Sequence, residues 1–104
     1  MKTKKDAIIT AIDTLKPQLK EMGIEKIALF GSYVKNQQNS YSDIDIAFQK
    51  SRDFFERNSA YDYFDFVKKL RGLLSNKLQR EIDLFDLDSA SDFKADIEKE
   101  MIYV

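Results

Sequence analysis

Two aspartates one residue apart, Asp43 and Asp45, begin an apolar segment and are the first chemical signal in the chain. In a β-strand alternate side chains point to the same face, so both carboxylates would lie together while Ile44 and Ile46 face a core. Two parallel carboxylates a few Å apart repel by about 4 kcal/mol at an effective dielectric near 20. A divalent cation removes that repulsion, and Mg²⁺ prefers one or two carboxylates together with substrate phosphates. The pair therefore predicts a magnesium site.

A Gly-Ser pair, Gly31-Ser32, ends the preceding apolar segment Glu25–Phe30 and is followed by a polar loop that leads to the aspartates. Glycine lets the backbone approach a phosphate closely, and N–H groups at a strand-to-helix turn bind anions. Neither signal is specific alone. Gly-Ser is common in ordinary turns, and with twelve aspartates about one Asp-x-Asp is expected by chance. Asp86-Leu87-Asp88 is a second such pair, which we interpret as a turn. The prediction depends on the combination.

Composition removes several classes of chemistry. The 104 residues contain no Cys and no His, which excludes disulfides, Cys/His zinc sites, cysteine nucleophiles and Ser-His-Asp triads. A net charge of −1 argues against direct nucleic-acid binding, which favours a basic stripe. No apolar run reaches membrane-spanning length. We expect one cytoplasmic, soluble domain over residues 1–104 whose chemistry uses carboxylates, Lys/Arg, hydroxyls and hard metals.

Helical and strand patterns alternate along the chain. Apolar residues at helical spacing predict a first helix that ends at Gly23 and is kinked or restarted at Pro17. A short helix is expected at Ser32–Asn36, and a long one begins after Ser59. Ser89 or Ser91 is expected to cap a last helix that carries Phe93 and Ile97. Strands are predicted at Glu25–Phe30, Asp43–Gln49 and Arg80–Leu87.

Aromatic side chains are concentrated before and within the long helix. Six of the thirteen lie in residues 51–66, too many for one helical stripe. We expect most of them in the core and the surplus in an apolar patch that binds a partner.

Four segments, taken in order, resemble one known family: Leu29-Phe30-Gly31-Ser32, Ser42–Ile46, Ile82-Asp83-Leu84 and the ending Ile97…Ile102-Tyr103. They are similar to the DNA polymerase beta-like nucleotidyltransferase superfamily, and most of all to the minimal nucleotidyltransferases of prokaryotes, which are usually encoded beside a helical HEPN protein. The resemblance covers nearly the whole chain. It implies an α+β fold, a small mixed β-sheet with helices packed mainly on one face.

The resemblance also implies roles for three acidic residues. Asp43 and Asp45 would bind Mg²⁺, with two ions expected, one on the triphosphate and one at the acceptor. Asp83 would be the third carboxylate, which holds the catalytic metal and helps to deprotonate the acceptor hydroxyl. The alternative for Asp83 is a solvent-facing side chain beside Glu81.

The resemblance further implies a nucleotide-binding set made of Gly31, Ser32, Lys35 and Ser42. Ser42 has an alternative role in local backbone hydrogen bonding. The family usually continues Gly-Ser-x-Ala-Arg-Gly, whereas this chain has Val34-Lys35-Asn36 after the variable position. Lysine replaces a bidentate guanidinium by a point charge, which puts phosphate affinity and turnover in question but leaves metal binding untouched.

The function implied is Mg²⁺-dependent transfer of AMP from ATP, or of another nucleoside monophosphate, to a hydroxyl. In the minimal family that hydroxyl would be a tyrosine of a HEPN toxin, and this protein would be the antitoxin that silences the toxin by AMPylation. One alternative is a catalytically weak binding module that neutralises a HEPN partner by contact. A weaker alternative is an adenylyltransferase for small molecules such as aminoglycosides. Whether the chain forms a homo-oligomer stays open.

Overall fold

A computed structural model describes residues 4–35, 43–57, 60–89 and 92–104. Within these ranges, neither long helix is apolar enough to span a membrane. The elements in chain order are α1 (Lys4–Met22), β1 (Ile24–Phe30), a single 3₁₀ turn (Gly31–Tyr33), β2 (Ile44–Lys50), α2 (Phe54–Arg57), α3 (Ala60–Leu78), β3 (Ile82–Asp86), α4 (Lys94–Glu100) and β4 (Ile102–Tyr103).

The strands form one mixed sheet in the order β3-β2-β1-β4. β1 pairs antiparallel with both β2 and β4, whereas β2 and β3 are parallel. In this register Asp45 lies opposite Phe30 on one side and opposite Asp83 on the other. The α+β class with a small mixed sheet, predicted from the sequence, is confirmed.

The two long helices cover one face of the sheet. α1 contributes Ile12 and Leu19 to the main core, and α3 contributes Leu70 and Leu74. Each fully buried side chain of this size stabilises the fold by about 1.5–3 kcal/mol. On the opposite face α4 places Ile97 in a smaller cluster with Ala28, Ala47 and Leu87. Helices therefore lie mainly on one face, and α4 alone, among the described helices, packs on the other.

Several boundaries differ from the sequence prediction. α1 ends before Gly23, whose φ of +102° suits glycine and ends the helix as predicted. α1 continues through Pro17 as one helix, so no restart occurs there. The cap residue of α4 is Phe93, without a side-chain hydrogen bond, so the cap predicted at Ser89 is wrong; Ser59 and Ser91 lie outside the described residues. α2 and β4 were not predicted, because four and two residues carry too little periodicity.

The aromatic segment divides between core and surface. Phe54 and Phe66 are buried and their ring centroids lie 4.7 Å apart. Tyr63 is half-buried, and Phe64 is 70% exposed. Three of the four described rings therefore belong to the main core or pack against it, and one is exposed. The side chains of Phe55 and Tyr61 lie outside the described set, and the binding of a partner by the exposed surface stays a prediction.

The second Asp-x-Asp pair has a structural role at the far end of the sheet. Lys50, at the end of β2, is buried, and its Nζ lies 2.5 Å from Asp86 Oδ2 and 3.1 Å from Asp88 Oδ2. The Tyr63 hydroxyl donates to Asp86 at 2.7 Å. Asp86 also accepts the Asp88 N–H at 2.8 Å, which closes the turn that we expected there. Both carboxylates of this pair therefore have a cationic partner within the fold.

The ion pairs of Lys50 make the stability of the fold depend on pH in the acidic range. Burial alone would raise the pKa of Asp88, but the hydrogen bonds and charge of Lys50 outweigh it and hold this pKa below the usual 3.8. A carboxylate with a depressed folded pKa stabilises the fold above its unfolded pKa, and this contribution is lost as pH falls below about 4.

We expect Asp88→Asn to lower the free energy of unfolding at pH 7 by no more than about 1 kcal/mol, because the side chain is 39% exposed. The variant should also lose less stability than wild type between about pH 4 and pH 2. Urea unfolding across this range measures both effects, with the exposed Asp92→Asn as control. Parallel acid profiles of wild type and Asp88→Asn would contradict the assignment.

Candidate active site

The sheet register brings the three predicted carboxylates to one face. Asp43 directly precedes β2, Asp45 lies in β2, and Asp83 is the residue of β3 paired with Asp45. Paired residues on adjacent strands, about 4.8 Å apart, point to the same face. Ile44 and Ile46 are buried on the opposite face, as the alternation predicted. The aspartates thus share the face on which α4 packs, since Ala47 of that face contacts the α4 cluster.

Several negatively charged side chains act on Asp45. Partial burial and the charge of Asp83 raise the pKa of Asp45 above 3.8, and Asp43 and Glu100 add to the effect, while a hydrogen bond from the Ser32 N–H opposes it. Among the described residues no lysine or arginine forms an ion pair with the three aspartates. A hard divalent cation would suit a carboxylate-only set. The described residues contain no preformed group of three metal-ligating side chains, so metal coordination stays a prediction.

Gly31 and Asp45 are in close contact. Gly31 has a φ of +79°, a conformation that residues with a Cβ rarely adopt. A Cβ at this position would overlap Asp45 Oδ2 and lie 2.8 Å from Asp45 Cγ. The predicted helix after this glycine is one 3₁₀ turn, closed by the Val34 N–H donating to the Gly31 carbonyl at 3.1 Å. Only glycine allows the turn to lie over the carboxylate.

Glu100, at the end of α4, is a site residue that sequence reasoning missed. Its Oε1 accepts the Gly31 N–H at 3.2 Å, and its Oε2 lies 2.9 Å from Lys35 Nζ. The only available signal was an acidic residue three positions after Ile97, which does not indicate a partner 69 residues earlier in the chain. The phosphate roles of Gly31, Ser32 and Lys35 stay predictions, and Ser42 lies outside the described residues.

A cavity of about 380 Å³ lies beside these groups. Asp83, Lys35 and Glu100 line its polar side. Its apolar side includes Phe30 and Phe85, whose ring centroids lie 6.4 Å apart, and the 70% exposed Phe93. The cavity offers apolar contact to a flat group next to the Asp83 carboxylate.

Residues 13–104 match the family model described as "Polymerase beta, Nucleotidyltransferase". The chain is 35% identical over 92 residues to MJ0126 of Methanocaldococcus jannaschii, named "Putative protein adenylyltransferase", and the match covers 86% of each chain. It is similar to a crystal structure of a "toxin-antitoxin with AMP-PNP", with 27% identity, a TM-score of 0.62, and coverage of 90% of this chain and 69% of the other. A structure described as a "putative minimal nucleotidyltransferase" shares the fold at 15% identity, with a TM-score of 0.73 and coverage of 94% of this chain and 93% of the other.

We expect Gly31→Ala to lower the free energy of unfolding by about 1–3 kcal/mol, because the left-handed backbone becomes strained and the Asp45 carboxylate must move. Gly72→Ala is the matched control, since Gly72 is an exposed residue within α3 and an added Cβ there meets no atom within 4 Å. The control should gain about 0.5–1 kcal/mol from improved helix propensity. Denaturant unfolding measures both; unchanged stability in Gly31→Ala would contradict the contact.

Proposed function

The chain belongs to the polymerase beta nucleotidyltransferase family and is a nucleotidyltransferase, and from this premise we propose that it transfers AMP from ATP to a protein hydroxyl. The single observation that carries the proposal is the pairing of Asp45 with Asp83 beside the Gly31 turn. This arrangement gathers acidic groups at one edge of a cavity and next to backbone donors. We further propose that residues 1–104 act as one domain in the cytoplasm, where ATP is available.

Asp43, Asp45 and Asp83 would hold magnesium, with two ions expected. Bound Mg²⁺ would neutralise the triphosphate and stabilise the entering and leaving oxygens together. The Lys35 ammonium, 49% exposed, would contact a phosphate as a point charge, and the half-buried Ser32 hydroxyl would donate to a phosphate oxygen. Ser42 would join this set. The backbone turn would orient the triphosphate so that its α-phosphorus faces the aspartates.

In the proposed reaction the acceptor hydroxyl oxygen attacks the α-phosphorus of ATP. A new oxygen–phosphorus bond forms while the bond from the α-phosphorus to the bridging oxygen breaks, and pyrophosphate leaves. The proton of the hydroxyl passes to the carboxylate of Asp83, which is exposed at the cavity and can take up and release it. Positioning of the two docked substrates would add to the rate enhancement, because it makes a bimolecular step effectively unimolecular.

We propose that the acceptor is a tyrosine of a HEPN toxin and that this protein is its antitoxin. The name of the 35% identical relative supports transfer to a protein, and the similar structure is a toxin–antitoxin pair with an ATP analogue. The aromatic side of the 380 Å³ cavity suits a phenol ring approaching Asp83. The exposed Phe64 ring on α3 offers apolar surface for docking.

A second candidate is a binding module that neutralises its partner by contact alone. The observation that favours it is the engagement of the Gly31 N–H and Lys35 by Glu100, since these groups are assigned to phosphate in the first proposal. The replacement of the family's Ala-Arg-Gly by Val34-Lys35-Asn36 points the same way. The experiments below distinguish the two.

Magnesium and ATP should together stabilise the fold. Binding only to the native state adds about 2.7 kcal/mol at a hundredfold excess over Kd, so Mg²⁺-ATP should raise the Tm of wild type. The Asp43→Asn/Asp45→Asn variant should show no such rise. Asp62→Asn/Asp65→Asn, which changes two exposed aspartates of α3, is the matched control and should respond as wild type does. Equal Tm increases in wild type and Asp43→Asn/Asp45→Asn would refute the site.

Catalysis should be visible on the partner. Incubation of wild type with Mg²⁺-ATP and a HEPN protein encoded beside it should add the mass of one AMP group, or a multiple of it, to the HEPN protein, with loss of its toxicity. The Asp43→Asn/Asp45→Asn variant should add none, because the neutral amides would no longer hold the magnesium ions that stabilise the reacting oxygens. Mass spectrometry and tyrosine mapping measure this outcome. A partner that is bound and inhibited but unmodified would favour the binding module instead.

A further inference from the structure

The Glu100 carboxylate contacts the Gly31 N–H and the Lys35 ammonium, the two donors that a phosphate would use in the proposed function. Its carboxylate accepts the Gly31 N–H at 3.2 Å and lies 2.9 Å from Lys35 Nζ. Carboxylate and phosphate oxygens are interchangeable partners for such donors, because both form charge-assisted hydrogen bonds with N–H groups and ammonium ions. The carboxylate of Glu100 therefore stands where an anionic ligand of the turn would bind.

The surroundings of Glu100 otherwise disfavour its charge. It is the last residue of α4, where the helix dipole is negative and an acidic side chain is unfavourable. Its charge also acts on Asp45, whose pKa is raised by burial and by the charges of Asp83, Asp43 and Glu100. The contacts with Gly31 and Lys35 compensate for this repulsion. An incoming anion that takes over those donors releases a carboxylate that has little else to hold it.

Release requires a side-chain rotation and leaves the helix in place. The Glu100 side chain is 26% exposed, so it has a path to solvent. The backbone around it is held by the buried Ile97 and by the Met101 N–H, which donates to the Ile97 carbonyl at 2.9 Å. Rotation about side-chain bonds at a partly exposed position occurs in picoseconds to nanoseconds. Displacement of the carboxylate therefore needs no rearrangement of the backbone.

We propose that Glu100 is an internal competitor of the triphosphate, which rests on the proposed nucleotide-binding function. In the empty site it neutralises Lys35 and fills the Gly31 donor, and a nucleotide binds by displacing it. The apparent Kd for triphosphate is then the intrinsic Kd divided by the fraction of molecules in which Glu100 is not engaged, so engagement of Glu100 weakens binding. The competition concerns the phosphates and not the nucleobase.

Glu100→Gln tests this inference by calorimetric titration with Mg²⁺-ATP and with Mg²⁺-tripolyphosphate, which lacks a base. The glutamine keeps an acceptor for the Gly31 N–H but removes the charge that holds Lys35. We expect Kd to fall by about three- to tenfold for both ligands, an effect in the range of a partly exposed ion pair together with relief of like-charge repulsion. Glu98→Gln, in the same helix but paired with Lys94 at 3.9 Å, should change Kd less than twofold.

A double-mutant cycle separates competition from a general charge effect. In a Lys35→Met background, the decrease in log Kd caused by Glu100→Gln should be less than half of the decrease seen with Lys35 present. The reason is that the ion pair between Glu100 and Lys35 no longer exists there. Glu100→Ala serves the same test if the glutamine variant does not fold.

Unchanged or weaker binding by Glu100→Gln would overturn the inference, and weaker binding would make Glu100 a positioning residue for Lys35. If neither wild type nor variant binds ATP or tripolyphosphate, the proposed function fails and the inference fails with it. Binding of equal strength by both proteins refutes the inference alone.

Discussion

The contact between Gly31 and Asp45 is the constraint on which the site depends. β1 and β2 pair so that Asp45 lies opposite Phe30, and the chain turns immediately after Phe30. The turn therefore passes over the carboxylate, where a Cβ would overlap it. Ser32 then donates its N–H to the same carboxylate. Strand pairing, a left-handed glycine and an acidic side chain thus fix one another's positions, and a change at any one of them moves the others.

The sheet treats its two Asp-x-Asp pairs in opposite ways. At the far end Lys50 forms ion pairs with both Asp86 and Asp88, so that pair stabilises a turn. At the near end Asp43 and Asp45 form no ion pair with a lysine or arginine among the described residues, and partial burial together with the charge of Asp83 on the adjacent strand raises the pKa of Asp45. A fold selected for stability alone gains nothing from the second arrangement. The contrast supports a role for the near pair in binding a cation and identifies the far pair as structural.

α4 connects the core to the site. Ile97 anchors it in the small cluster on that face, and Glu100, one turn later, reaches the Gly31 turn and Lys35. Phe93 at its start lines the cavity beside Asp83. The helix thus borders both the Gly31 turn, to which we assign the triphosphate, and the cavity, to which we assign the acceptor. This position explains how a short chain can bring acidic, cationic and aromatic groups to one edge of a four-stranded sheet.

The sequence by itself determined the local features: the helix stop at Gly23, the buried alternation of Ile44 and Ile46, and the motif that implied the family. These depend on spacing within a few residues. Only the tertiary structure decided that Glu100 meets Gly31 and Lys35, and that Lys50 meets the second acidic pair. These partners are separated by tens of residues in the sequence. The local sequence around a charged residue does not indicate which of the many opposite charges it will meet. Strand order and register choose among them, because they decide which distant side chains share a face.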